Sequence, residues 1–142
     1  MSDGPDLDRF VTAQDGGAYD AAVAELTRGR KTGHWMWFVF PQLAGLGHSA
    51  TARHFAVRDL DEARAHLAHP VLGPRLAECA RLAAQAPAES VEQLLGGVDA
   101  LKLRSSMTLF LRADPSRPEF QQVLDRWYGG EPDPATDRLL AG

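Results

Sequence analysis

Apolar residues recur along most of this chain with the spacing of an α-helix. The stretches 19–26 and 120–127 each carry apolar side chains at positions i, i+3, i+4 and i+7. Such a stripe lets a helix bury one face against its neighbours. Because the same period returns in most of the chain, the sequence predicts an all-α, compact multihelical domain.

Residues that start and stop helices stand between these stripes. The predicted N-caps are Asp59, Ser90, Asp99 and Asp133. Asp59 and Ser90 are each followed three residues later by Glu or Gln, as in a capping box. Gly96-Gly97 is a stop signal, after which Asp99 is expected to cap the next helix. These signals indicate short, separately terminated helices.

Length and composition are those of one ordinary globular domain. The chain has 142 residues, so residues 1–142 are predicted to form a single domain, with 1–5 and 141–142 as loose termini. Its net charge is −4 and its basic residues are dispersed, which argues against binding of duplex nucleic acid. A single cysteine fits a reducing compartment. With no signal-peptide pattern and no long apolar run, we expect a cytoplasmic protein without membrane contact.

The segment Lys31–Ser49, KTGHWMWFVFPQLAGLGHS, holds two of the three tryptophans and two of the six phenylalanines. Within it, Trp35–Phe40 is apolar at every position, so periodicity does not separate a buried strand from a buried helix. We expect this segment to lie at the centre of the domain. A rigid apolar wall with polar rims is also how a small-molecule pocket is built.

The polar residues of this segment are candidates for a site. His34 is the candidate catalytic residue, because histidine exchanges protons near neutral pH. Lys31 could hold an anionic group, and the Gln42 amide could bind the edge of a base. Trp35 and Trp37 are the candidate stacking surfaces. Each also has a structural interpretation, as a solvated helix end, a loop contact or part of the core.

A second unusual cluster follows Asp99. Lys102, Ser105 and Ser106 share one face of the predicted helix. Because serine is a poor helix former, we expect these serines to have a role other than favouring the helix. A lysine with two hydroxyls can bind a phosphate or another polar ligand. The alternative is that the hydroxyls bond to backbone carbonyls. A Ser–Lys nucleophile is disfavoured, because the lysine precedes the serines instead of following them.

The two blocks RKTGHWMWFVFPQLAGLGHS and DALKLRSSMTLF carry a family resemblance. They are similar to blocks of the bacterial domain-of-unknown-function family 1810, DUF1810, and the likeness runs from about Leu7 to Leu140. The resemblance implies a small, mostly helical single domain. It implies no particular activity.

Three classes of function remain open. The first, which we favour, binds or hydrolyses a nucleotide-like ligand, such as an ADP-ribose derivative, in an aromatic-walled pocket where Lys31, His34, Gln42, Lys102, Ser105 and Ser106 converge. The second is a protein-interaction module with Trp37 and Phe38 as an exposed anchor. The third is a structural helical domain without catalysis. No metal-binding motif is present, so no metal and no other cofactor is predicted. The oligomeric state stays open.

Overall fold

The protein is an all-α domain, as the sequence predicts. The computed structural model describes residues 6–142, of which 66% are helical. In this part of the chain the sole β-type pairing is a parallel bridge between Leu43 and Val57. The helices are α1 (Asp8–Gln14), α2 (Ala18–Arg28), α3 (Met36–Val39), α4 (Ala50–His54), α5 (Leu60–Ala68), α6 (Leu72–Gln85), α7 (Val91–Leu95), α8 (Gly97–Ala113), α9 (Pro118–Trp127) and α10 (Pro134–Ala141).

Helix α8 is the centre of the packing. It contacts α5, α7, α9 and α10, while α6 packs against α2 and α9. Leu103, Met107 and Phe110 on α8 are completely buried, as are Phe120 and Leu124 on α9. Because α8 has neighbours on several sides, its apolar residues extend around more of its circumference than the stripe of a surface helix.

Most predicted helix starts are confirmed. The side chains of Asp59, Ser90 and Asp133 each accept a hydrogen bond from the backbone amide three residues on. Asp99 is the exception, and its predicted capping role is wrong. Helix α8 begins at Gly97, with Gly96 as its N-cap, so Asp99 lies in the first turn. Its carboxylate is consequently available for ion pairs.

The apolar segment Trp35–Phe40 forms a single helical turn in the core, which settles the choice between strand and helix. Helix α3 covers Met36–Val39, and Trp35 and Phe40 flank it. Both aromatic rings are buried; their centroids lie 6.2 Å apart. The side chains of Trp37 and Phe38 are half-buried. The prediction of a buried aromatic segment at the centre of the domain is confirmed.

The structure describes one of the two termini that were predicted to be loose. Residues 1–5 lie outside the described residues. At the other end, Ala141 is the last residue of α10, and the Gly142 amide donates to the Arg138 carbonyl at 3.2 Å. No helix within residues 6–142 is long and apolar enough to cross a membrane.

Candidate functional site

A buried carboxylate fixes the loop that carries Lys31 and His34. Oε1 of Glu25, on α2, accepts hydrogen bonds from the Thr32 amide at 2.7 Å, the Gly33 amide at 2.8 Å and Nε1 of Trp35 at 3.0 Å. Burial raises the pKa of Glu25, but these hydrogen bonds outweigh it and lower the pKa to about 2. Glu25 is therefore ionised at neutral pH and holds the loop by charge-assisted bonds.

Sequence analysis did not identify Glu25. Its position in a helical stretch carries no local signal of burial, and its three partners lie seven to ten residues further on. The backbone amides of Thr32 and Gly33 need an acceptor, but only the folded loop brings them to the Glu25 carboxylate.

Lys31 ties this loop to α8. Its Nζ atom lies 2.9 Å from Oδ2 of Asp99 and 2.6 Å from the Gly33 carbonyl oxygen, and 5.3 Å from the centroid of the Trp35 ring. Two acceptors and an aromatic ring of the protein surround the ammonium. Lys31 thus has a clear structural role, and its binding of a ligand stays a prediction.

Asp99 also joins Lys31 to the second predicted cluster. Nζ of Lys102 lies 3.5 Å from Oδ1 of Asp99 and 4.6 Å from the centroid of the Trp37 ring. The carboxylate therefore lies between two cations, and the Lys102 ammonium also makes a cation–π contact. Three of the predicted site residues, Lys31, Trp37 and Lys102, are brought together in this way.

A surface cleft of about 340 Å³ opens beside Lys102, between α8, the loop that follows Pro41 and the start of α10. Among its lining residues are three of the predicted ones, Gln42, Lys102 and Ser105. Its apolar lining includes Val98 and Leu101, which are 70% and 69% exposed. Exposed apolar side chains next to convergent polar groups are typical of a ligand-binding surface.

Two hydroxyls of α8, those of Ser105 and Thr108, share a structural partner in Asp133. Oγ of Ser105 donates to Oδ2 of Asp133 at 2.9 Å, and Oγ1 of Thr108 accepts from the Asp133 amide at 2.8 Å. Burial raises the pKa of Asp133, but hydrogen bonds from Thr136 and Ser105 lower it below its ordinary value. Ser105 and Thr108 hold Asp133, the N-cap of α10, against α8, which gives these two poor helix formers a structural role.

The remaining candidates do not reach this cleft. Trp35 is 2% exposed and belongs to the core, so the cleft has an aliphatic and polar lining in place of the expected aromatic wall. Ser106 is completely buried, and its Oγ has no hydrogen-bond partner within residues 6–142. His34 is exposed and does not line the cleft. Of the residues predicted to converge on one pocket, Gln42, Lys102 and Ser105 line this cleft, and Lys31 is joined to Lys102 only through Asp99. His34 and Ser106 do not line it.

The described residues offer no evident metal centre. Among residues 6–142, no three His, Cys, Asp or Glu side chains form a group that could hold a metal ion.

Comparison with known proteins identifies relatives without an assigned activity. The structure is similar to the crystal structure of the conserved hypothetical protein Rv1873 from Mycobacterium tuberculosis, with a TM-score of 0.93 and 51% sequence identity over 96% of this chain and 97% of that chain. No protein with a curated description matches the chain. The family model described as "Protein of unknown function (DUF1810)" matches residues 4–140. The chain therefore belongs to the DUF1810 family.

Proposed function

We propose that the protein binds a small, negatively charged, nucleotide-like molecule in the cleft beside Lys102. The observation that carries this proposal is the position of the Lys102 ammonium at the edge of an exposed apolar surface. Within residues 6–142 its close contacts are Asp99, at 3.5 Å, and the Trp37 ring, at 4.6 Å. Neither contact engages all three N–H donors, so the ammonium retains donors for an anionic group.

The apolar part of the cleft suits a base or a sugar. Val98 and Leu101 lie three residues apart on α8 and therefore share one face of the helix. Both line the cleft and are largely exposed, which is uncommon for side chains of this size. A flat ligand on this face would remove apolar area from water, at about 25 cal/mol per Å².

Gln42 supplies the polar recognition that such a ligand needs. Its backbone carbonyl accepts a hydrogen bond from the Val57 amide at 2.9 Å, which fixes the chain where the side chain enters the cleft. The amide group offers both donors and an acceptor, the combination that pairs with the edge of a base. Cation, apolar face and amide together support a ligand with a phosphate and a base, as in an ADP-ribose derivative.

The geometry supports binding more directly than hydrolysis. A general base must lie within hydrogen-bond distance of the proton that it removes. Asp133 lines the cleft, but its Oδ2 atom already accepts bonds from Ser105 and Thr136. His34 lies outside the cleft lining. We therefore propose binding as the primary function and treat turnover as a separate question.

A protein-interaction role is the second candidate, and the exposure of Val98 and Leu101 is the observation that favours it. An apolar pair on a helix face can also anchor a partner protein. In that case Leu101→Ser would abolish binding of the partner protein. Neither wild type nor Lys102→Gln would bind a nucleotide.

The test is a calorimetric and thermal-shift titration with AMP, ADP, NAD and ADP-ribose. A ligand at 100 times its dissociation constant stabilises a protein by about 2.7 kcal/mol. We expect Lys102→Gln and Gln42→Ala each to weaken binding by about tenfold, the loss of one charge-assisted or well-placed hydrogen bond. Arg81→Gln, an exposed change on α6, is the matched control. Absence of binding, or equal binding by all four proteins, would contradict the proposal.

Turnover is measured with wild type and His34→Gln. Chromatography of mixtures with NAD or ADP-ribosylated nucleosides shows whether base or ADP-ribose is released. If His34 is the general base, His34→Gln will retain affinity and lower turnover by about 10²–10⁴-fold. Product formation that is equal in wild type and His34→Gln would exclude this role for His34.

A further inference from the structure

We propose a second ligand site, for a phosphate group, in a cleft formed by the start of α1, the end of α4 and the start of α5. The cleft has a volume of about 330 Å³, and three of its lining residues are arginines, Arg9, Arg53 and Arg58. It shares no lining residue with the cleft beside Lys102. The two sites can therefore be tested independently.

Arg9 forms a rigid base for this cleft. Its Nε donates to the His54 carbonyl at 2.8 Å, and its Nη2 donates to the Ala56 carbonyl at 2.8 Å and to Glu62 at 3.2 Å. The guanidinium also lies 4.3 Å from the centroid of the Phe10 ring. These contacts hold the end of α4 and the loop after it in place, and that segment carries Arg53 and Arg58.

The negative charge of Glu62 is neutralised inside the protein. Its side chain is 1% exposed, and its Oε1 atom accepts from Arg9 and from the Arg58 amide at 2.9 Å. Its Oε2 atom lies 3.5 Å from Nε of Arg58. Because Arg9 compensates Glu62, the charges that remain on the accessible surface of the cleft are those of Arg53, Arg58 and Asp6.

The net charge at this surface is positive, although the net charge of the whole chain is −4. Arg53 makes no ion pair with a carboxylate within residues 6–142, and the Arg58 side chain is mostly exposed. Guanidinium groups pair with phosphate oxygens through two parallel N–H donors, and such charge-assisted bonds are about twice as strong as neutral ones. A phosphate dianion, free or as the monoester of a small molecule, fits this combination of charge and space.

The experiment titrates inorganic phosphate and phenyl phosphate into the protein at constant ionic strength, with acetate as the anion control. Binding is followed by calorimetry and by amide NMR shifts. We expect Arg53→Gln/Arg58→Gln to weaken phosphate binding by at least about tenfold, the equivalent of about 1.4 kcal/mol. Arg53→Lys/Arg58→Lys, which keeps the charge but loses the paired donors, should bind with intermediate affinity. Arg9 is left intact, because its removal would leave Glu62 buried without its partner.

Arg64→Gln/Arg81→Gln is the matched control and should bind phosphate like wild type. Lys102→Gln distinguishes this site from the cleft beside Lys102. Tighter binding of phenyl phosphate would identify a monoester as the ligand class, and equal binding would identify the phosphate group alone; both support the site. Loss of binding in Lys102→Gln alone would place phosphate in the other cleft and overturn the proposal. Unchanged binding in Arg53→Gln/Arg58→Gln, or an equal response to acetate, would also overturn it.

Discussion

Oγ of Ser105 donates a hydrogen bond to Oδ2 of Asp133 at 2.9 Å, and this bond joins the central helix α8 to the C-terminal helix α10. The same Oδ2 atom accepts from the Thr136 amide at 3.2 Å, so one carboxylate both starts α10 and docks it. Ser105 and Asp133 also line the proposed ligand cleft. The contact that holds α10 in place thereby forms part of the wall of the cleft.

We predict that Asp133→Ala destabilises the protein by about 2 kcal/mol, because it removes an N-cap, takes the acceptor from the buried Thr136 hydroxyl and leaves Ser105 only the Leu101 carbonyl. Urea unfolding measures the effect. Asp137→Ala on the same helix is the control; it breaks a partly exposed ion pair with Arg112, worth about 0–1 kcal/mol. Equal losses for the two variants would show that the Asp133 cap has no special role.

Trp35 and Trp37 should respond differently to truncation. Trp35 is a core residue with its indole N–H bonded to Glu25, so Trp35→Ala should cost about 3–5 kcal/mol. Trp37 is half-buried and contacts Lys102, so Trp37→Ala should cost less and alter ligand binding in the neighbouring cleft. Denaturant unfolding and calorimetry separate the two effects. Wild-type stability in both variants would refute the core role of Trp35.

His66 should make the protein less stable in mild acid. Its ring is buried against Phe10 and Phe110, at centroid distances of 5.0 and 5.3 Å. Burial, followed by the charges of His69 and Arg9, lowers its pKa from 6.5 to about 3. As the pH falls from 6.5 towards 3, the unfolded chain binds a proton that the folded protein excludes. The free energy of unfolding should then fall by about 1.4 kcal/mol per pH unit.

A comparison of His66→Leu with wild type tests this dependence. The leucine has no titrating group, so the stability difference between the two proteins should change in favour of the variant between pH 7 and pH 4.5. The exposed His48→Gln is the control. Parallel stability curves for wild type and His66→Leu would contradict the prediction.

Glu25 also makes the free energy of unfolding depend on pH, but as an acid and at lower pH than His66. Because its folded pKa is about 2 and its ordinary value is 4.5, its contribution is complete above pH 4.5 and is lost as the pH falls towards 2. Glu25→Gln should therefore cost about 3 kcal/mol at pH 7, by the linkage of a shift of this size, and much less at pH 3. Urea unfolding at the two pH values measures the difference, with the exposed Glu89→Gln as control. A cost that is independent of pH would show that the charge of Glu25 is unimportant.

The local elements of the fold were predictable from the sequence. The caps of Asp59 and Ser90 were identified because each bond joins residues three apart, so both partners appear in one short stretch. The apolar period of residues 120–127 likewise predicted α9, whose Phe120, Val123 and Leu124 are buried. In both cases the determining interaction is encoded within one or two helical turns.

The candidate site was predictable only in part. The hydroxyls near Lys102 were identified as unusual, and Lys31, Gln42, Lys102 and Ser105 do lie in one region of the structure. Which of them remain available to a ligand was not predictable. The Lys31 ammonium is engaged by groups of the protein itself, and this depends on where α8 begins.

By itself the sequence determined the helical class and most of the helix starts, since these follow from apolar spacing and short-range hydrogen bonds. Only the tertiary structure decided that Trp35–Phe40 is one turn of helix, that Glu25 holds the loop before it, and that Ser105 docks a residue 28 positions away. A uniformly apolar run has no period, and a buried polar side chain takes whichever partner the packed helices bring to it.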